Sequence, residues 1–278
     1  MIQLFYDVSN KCSKITTEKY SSSFSSAIKL LHKDLRTPIY NIYGFVRFAD
    51  EIVDSFHGHD QKALLSQFKE QTYQAIEQGI SLNPILQSFQ HTVNQFGIAE
   101  HLIDAFFASM EQDLYKLEYD KATYNEYIYG SAESVGLMCL YVFCEGNTEV
   151  YNSLKPFAQH LGAAFQKVNF LRDLKADVQT LDRMYFPGCN FLSFTEKEKQ
   201  QIESDIHEDF EQAFKGILKL PIKARFGVYV AYKYYFSLFK KIRKVKATRI
   251  MEERIRIPNY SKAMILAKAG VRSQLNML

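Results

Sequence analysis

Segments of helical periodicity follow one another through almost the whole chain, with little between them to turn it. Its 278 residues include only 12 Gly and 6 Pro. So few turn formers exclude a sandwich or barrel of short strands and point to long helices. The apolar spacing predicts helices over 21–33, 37–56, 61–80, 98–116, 121–144, 150–178, 195–217, 221–250 and 259–270. Pro38, Pro156 and Pro221 fall where first turns would be, positions at which a missing N–H costs nothing. Pro84, Pro187 and Pro258 read as breaks. A hydrophobic share of 47% supports a sizeable core. No 20–50-residue repeat and no low-complexity linker divides the chain, so the expectation is one all-α domain over 1–278.

Cysteine usage bears on compartment. Cys12, Cys139, Cys144 and Cys189 form no CxxC pair, which fits a reducing cytoplasm. The opening MIQLFYDVSNKCSK has too short an apolar run for a signal peptide. SVGLMCLYVFC (134–144) is shorter than the roughly 18–20 residues of a membrane-spanning helix. A cytoplasmic protein is the expectation.

The net charge of +3 hides an asymmetry. Residues 1–211 carry 18 Lys/Arg against 29 Asp/Glu, whereas 212–250 carry 11 Lys/Arg and no acid. Such a segment calls for an anionic partner or for an acidic surface of its own chain. Three readings stand: a core helix whose basic end crosses the acidic remainder, a lining for an anionic entrance, or peripheral contact with an anionic membrane through Lys240, Lys241, Arg243, Lys244 and Lys246. No recognised motif accompanies the charge, so nucleic acid is not an expected partner.

Two stripes carry the chemistry. In YNIYGFVRFADEIVDSF (40–56), Asp50 and Asp54 are four apart and lie within about 40° on a helix, with Arg47 and Tyr43 on the same face. In the segment 163–187, Gln166, Asn169, Asp173 and Asp177 fall within about 80° of one another. Either stripe alone is ordinary for a solvated face with an Arg–Asp pair. Two oxygen-rich stripes together suit hard divalent cations such as Mg²⁺, which share carboxylates with water and substrate phosphates. Arg47, Arg172 and Arg183 could then neutralise the remaining diphosphate oxygens. A di-iron carboxylate bundle would need Glu-x-x-His pairs, and the acid–His spacings at His101 and His207 do not supply them. No GxGxxG or GxxxxGK[ST] loop is present.

At these residues the chain resembles the squalene/phytoene synthase family, the head-to-head prenyl transferases. The matching pieces are SSSF (21–24), YGFVRFADEIVD (43–54), YIYGSAESVG (127–136) and LGAAFQKVNFLRDLKADVQTLDRMYFP (161–187). They stand in family order and cover most of 20–270. The resemblance implies a helical bundle of the isoprenoid synthase type with a central cavity. It further implies that Asp50, Asp54, Asn169, Asp173 and Asp177 hold Mg²⁺, or Mn²⁺ in its place. Arg47, Gln166, Asn169, Arg172 and Arg183 would contact diphosphate or order its metal shell. Tyr43 and Tyr127 would face the site, with Tyr127 and Arg47 acting in catalysis beside the aspartates. Phe24, Ala132 and Gly136 would wall a prenyl tunnel. Two departures stand out: Glu133 replaces a usual Gly, and Glu51 a usual Asp.

The implied substrates are prenyl diphosphates. The wording GSAESVGLMCLYVF is most like bacterial carotenoid-pathway members, hence phytoene synthase on two geranylgeranyl diphosphates, with no nucleotide cofactor. The alternatives are a dehydrosqualene synthase, or a squalene synthase that uses NADPH, both acting on farnesyl diphosphate. A non-catalytic scaffold relative is the reading from another class, and the retention of all four aspartates weighs against it.

Overall fold

Capping chemistry sets several helix boundaries in the computed structural model, which describes residues 2–115, 118–180, 183, 185–189 and 194–274. In chain order the helices are α1 (Ile2–Tyr20), α2 (Ser22–Ile28), α3 (Lys33–Ser55), α4 (Gln61–Gln78), α5 (Pro84–Phe96), α6 (Glu100–Asp113), α7 (Lys121–Ile128), α8 (Ser134–Cys144), α9 (Thr148–Thr180), α10 (Glu196–Ile217), α11 (Ile222–Arg243), α12 (Ala247–Glu252) and α13 (Asn259–Gln274). A π-helical turn, Tyr129–Glu133, joins α7 to α8. Asp60 accepts from the Ala63 amide to open α4, and Gly79, at φ 69°, closes it. Asn83 and Gly97 do the same for α5. Asp120–Thr123 and Thr195–Glu198 are reciprocal capping boxes opening α7 and α10. Among the described residues there is no strand, so the all-α expectation holds.

Two helices lie outside the expected set, for different reasons. The buried face of α1 is Ser9, Ser13 and Thr17. That of α5 carries Ile85, Leu86, Phe89 and Val93 at helical spacing beside Gln87, Ser88, Gln90 and Thr92, so its apolar signal is present and only the reading of Pro84 as a break leaves it out. Both dock on α3 and on each other by hydrogen bonds: Ser13 with Ser88 at 2.7 Å, and Asn41 Nδ2 donating to Asn10 at 3.0 Å and Thr92 at 3.1 Å. The approach is close; a Cβ on Gly44 would lie 2.7 Å from Ser13 Oγ. Counting apolar residues cannot see a helix such as α1, which packs through small hydroxyls.

Prolines also depart from expectation. Pro84 begins α5 at its first turn instead of marking a break. Pro38 and Pro156 lie inside α3 and α9, which continue through them with an i→i−4 bond missing. The expected 21–33 helix stops at Ile28, and α3 starts at Lys33 instead of 37. The expected 221–250 helix ends at Arg243, before the short α12.

The core has two aromatic centres. Phe45 of α3 stacks on Phe89 of α5 at 3.8 Å, and Phe106 and Phe107 of α6 close around it at 5.4 and 5.6 Å. Each such buried ring contributes about 1.5–3 kcal/mol by area, and a ring pair about 0.5–1.5 kcal/mol more. Phe210 of α10 with Tyr232, Phe236 and Phe239 of α11 forms the second centre. Helices α2, α3, α8, α9, α10 and α11 leave a cavity among themselves.

Candidate active site

The cavity measures about 590 Å³ and changes character along its length. Tyr43, Arg47, Asp50 and Asp54 of α3 and Gln166, Asn169, Arg172 and Asp173 of α9 line its charged end. Helical spacing explains the shared wall, since each set recurs every three or four residues. The rest is apolar: Phe24, Ile28 and Leu31, then Val135, Gly136, Cys139 and Phe143 of α8, Leu161 and Phe165 of α9, and Leu220 and Val228. Phe24 packs against Tyr43, Phe165 and Tyr235 at 5.7–6.0 Å where the two ends meet. The π turn brings Ser131 and Ala132 to the wall. It fits because a Cβ on Gly130 would meet the Ala105 carbonyl at 2.2 Å.

Ion pairs hold the charged end in place. The Arg47 guanidinium bonds Glu51, lies 3.8 Å from Asp50, and sits 4.4 Å over the Tyr20 ring. Arg172 Nε donates to Asp173 at 3.0 Å, and Arg254 approaches the same carboxylate at 2.7 Å. Burial raises the proton affinity of the Tyr235 phenol, and the neighbouring Arg172 and Asn169 side chains oppose that rise. Behind the wall, Arg183 donates to Asp54 at 3.0 Å and to the Asp113 carbonyl at 2.9 Å, with the Asp113 carboxylate 3.6 Å away. Asp113 also accepts from Tyr127 at 2.8 Å and Tyr185 at 3.1 Å.

Proton affinities follow from crowding of like charge. Burial, then Asp54, pushes Asp50 up to about 7. Burial, then Asp173, pushes Asp177 up to about 8, with Asp54 and Asp113 adding to it. Burial raises Asp113 to about 6 against the pull of Arg183. Burial carries Tyr43 to about 12. Carboxylates this reluctant to ionise form an oxygen-rich site short of positive charge. Asn169 Oδ1 is buried there and accepts no hydrogen bond among the described residues. These donors fit a hard divalent cation. No three acids, His or Cys among the described residues enclose one ion, so a bound cation would complete its shell with water or phosphate oxygens.

Of the candidates read from sequence, Phe24, Tyr43, Arg47, Asp50, Asp54, Ala132, Gly136, Gln166, Asn169, Arg172 and Asp173 all line the one cavity. Asp177 is outside the lining but within electrostatic reach of Asp54. Tyr127 and Arg183 do not face the cavity: both are buried and spend their polar atoms on Asp113, and Arg183 also on Asp54. Glu133 is turned away into a separate pocket of about 260 Å³, where Gln159 donates to it at 2.9 Å. Its charge therefore stays out of the apolar channel. Sequence reading missed Asp113, Tyr235 and Arg254. Asp113 stands at the end of α6, Tyr235 within the aromatic run of α11 and Arg254 in the connection after α12, so none of them belongs to either aspartate stripe.

Comparison with known proteins bears on this geometry. A profile of the family described as squalene/phytoene synthase matches residues 17–261. The phytoene synthase of Arthrospira platensis is 25% identical over 95% of this chain and 93% of its own. The presqualene diphosphate synthase of Rhodopseudomonas palustris (strain ATCC BAA-98 / CGA009) is 29% identical over 60% of this chain, and the match spans 58% of that enzyme's length. A dehydrosqualene synthase crystal structure with a bound ligand superposes with a TM-score of 0.82 at 20% identity, covering 98% of both chains, which speaks to the fold. The match over nearly the whole helical core shows that the chain belongs to the squalene/phytoene synthase family, the head-to-head prenyltransferases.

Proposed function

We propose that this chain condenses two geranylgeranyl diphosphates head to head, through a cyclopropyl diphosphate, to phytoene in carotenoid biosynthesis. The observation that carries the reading is one cavity with both aspartate stripes at its charged end and a long apolar remainder. The lining of α11 from Val228 to Tyr235, continued to Leu220, spans on the order of 20 Å, a depth suited to a long prenyl chain. The phytoene synthase that aligns along almost the full chain supports the same substrate class.

Asp50, Asp54, Asn169, Asp173 and Asp177 are the residues that would hold Mg²⁺, or Mn²⁺ in its place. When bound, the metal supplies charge that stabilises the departing diphosphate. Arg47 and Arg172 bind diphosphate oxygens, and Gln166 orients them. Arg183 and Tyr127 act through Asp113, which sets the position of Arg183 and so of Asp54. The aromatic faces of Phe24, Phe165 and Tyr235 border the point where positive charge develops after ionisation. The apolar wall excludes the water that would quench that charge.

Farnesyl diphosphate as substrate, with presqualene diphosphate, dehydrosqualene or squalene as product, is the second reading. The presqualene diphosphate synthase relative favours it. Purified protein incubated with each labelled prenyl diphosphate and Mg²⁺, with and without EDTA and NADPH, tests both. Forty-carbon product that needs metal and ignores NADPH is the expected result. Thirty-carbon product alone would replace the reading with the second one, and no product from either substrate would refute catalysis.

A further inference from the structure

The acid-free basic segment is only partly absorbed by the cavity. Its N-terminal part runs along the cavity wall, but Lys240, Lys241, Arg243, Lys244 and Lys246 stand exposed at the far end of α11. Among the described residues no carboxylate pairs with Lys240, Lys244 or Lys246. Lys241 donates instead to the Arg256 carbonyl at 2.7 Å, which ties this cluster to the segment bearing Arg254. Arg254 lines the charged end of the cavity, so the cluster borders the cavity mouth.

Beside it lies a helix that exposes apolar residues on its outer face as well as burying them on its inner one. In α13, Tyr260, Ala263, Met264 and Ala267 are exposed and fall within about 100° of one another. Tyr260 is 69% and Met264 52% exposed. The opposite side of α13 is turned inward, with Ala269 buried and Ile265 and Leu266 packed against the core. Lys262 on that side donates to Ser22 at 2.8 Å, which ties α13 to α2, the helix that carries Phe24 of the cavity wall. An exposed apolar helix face next to a cluster of cations is the arrangement of a helix that lies in a lipid interface.

We infer that the mouth end of the molecule, comprising the outer face of α13 and the cluster at Lys240, Lys244 and Lys246, docks on an anionic lipid bilayer. Charge complementarity selects this occupant: the lysines meet headgroups while Tyr260 and Met264 enter the interface. The orientation sets the cavity mouth against the layer in which a prenyl chain would dissolve. The inference does not rest on which prenyl diphosphate is used, and vesicle binding is read without turnover.

Flotation with vesicles of phosphatidylglycerol and phosphatidylcholine, against pure phosphatidylcholine, tests it at low and high salt. The full chain should float with the anionic vesicles at low salt and lose most of that binding at high salt. The triple variant Lys240→Glu, Lys244→Glu, Lys246→Glu should bind at least on the order of a hundredfold more weakly. The variant Tyr260→Ser, Met264→Gln should weaken binding while leaving its salt dependence. The control Lys11→Glu, Lys62→Glu, Lys121→Glu makes the same change in net charge on exposed positions elsewhere and should bind nearly as wild type. Circular dichroism verifies that each variant is folded. Failure of the folded wild type to float, or equal losses in the control and the cluster variant, would overturn the inference. So would a dimer in sedimentation that Tyr260→Ser, Met264→Gln dissociates while vesicle binding persists, because the apolar face would then belong to a second copy.

Discussion

Replacing Arg183 by Met should reveal that this residue is a buried support of the site. The guanidinium is 6% exposed and serves Asp54, the Asp113 carboxylate, and the carbonyls of Asp113 and Val53. Met fills a similar volume but leaves Asp113 as an ionised group without its cation, a change that typically costs about 3–5 kcal/mol. At about 2.1 cal/mol/K per residue, 278 residues unfold with an entropy near 0.6 kcal/mol/K, so the melting temperature should fall by about 5–9 °C. The loss should depend on pH, and its sign follows from Asp113. Its folded pKa of about 6 is already above the unfolded value near 3.9, and Arg183 is what restrains it. Without Arg183 the folded pKa rises further. A carboxyl group with a raised folded pKa contributes stability that is present at low pH and lost as pH rises through that pKa. The variant should therefore fall further below wild type at pH 8 than at pH 5, by about 1.4 kcal/mol for each unit that Asp113 moves. Urea denaturation followed by circular dichroism at both pH values measures this, and Arg183→Lys, which keeps the charge, should recover part of the loss. An equal deficit at pH 5 and pH 8, or one under about 1 kcal/mol at pH 8, would refute the reasoning.

Asp50→Asn or Asp173→Asn should abolish most turnover with little change in melting temperature; near-normal product formation would reduce the carboxylate to a surface charge. Because Asp50 and Asp177 sit at about 7 and 8, the ligand-free protein should lose stability as pH rises from about 4 through 8. Mg²⁺ with diphosphate favours the ionised forms and should raise the melting temperature more at pH 8 than at pH 6, an increment that Asp50→Asn shrinks; equal shifts at both pH values would count against a metal site. Ile28 is 3% exposed and lines the cavity one turn below Phe24, so Ile28→Phe should shorten the channel and move the product ratio from forty toward thirty carbons when both substrates are supplied. Gly130→Ala should cost about 1–3 kcal/mol in urea denaturation, since its Cβ would meet the Ala105 carbonyl at 2.2 Å.

The aspartate stripes were legible because helix geometry alone turns a spacing of three or four residues into a shared face. That suffices for Asp50 with Asp54, and for Asn169 with Asp173. The polar-faced helix α1 was not legible. Nothing in the apolar pattern of Ser9, Ser13 and Thr17 announces a buried stripe until Gly44 and Ser88 are seen opposite it. Tyr127 looked like a site residue from its place in a motif, and its hydroxyl is instead taken up by Asp113. Glu133 was ambiguous for a related reason: the π turn immediately before α8 decides which way it points, and that turn depends on the close contact at Gly130.

By itself the sequence determined the all-α class and which side chains share a helical face, both consequences of local backbone geometry. Only the tertiary structure decided which faces meet. It set Asp113 behind Asp54 with Arg183 between them, although Asp54 and Arg183 are 129 residues apart in the chain. It also left Tyr260 and Met264 of α13 exposed beside the cations of α11. Such pairings come from packing between elements distant in sequence, and charge crowding, burial and exposure are properties of that packing, with no local signal to carry them.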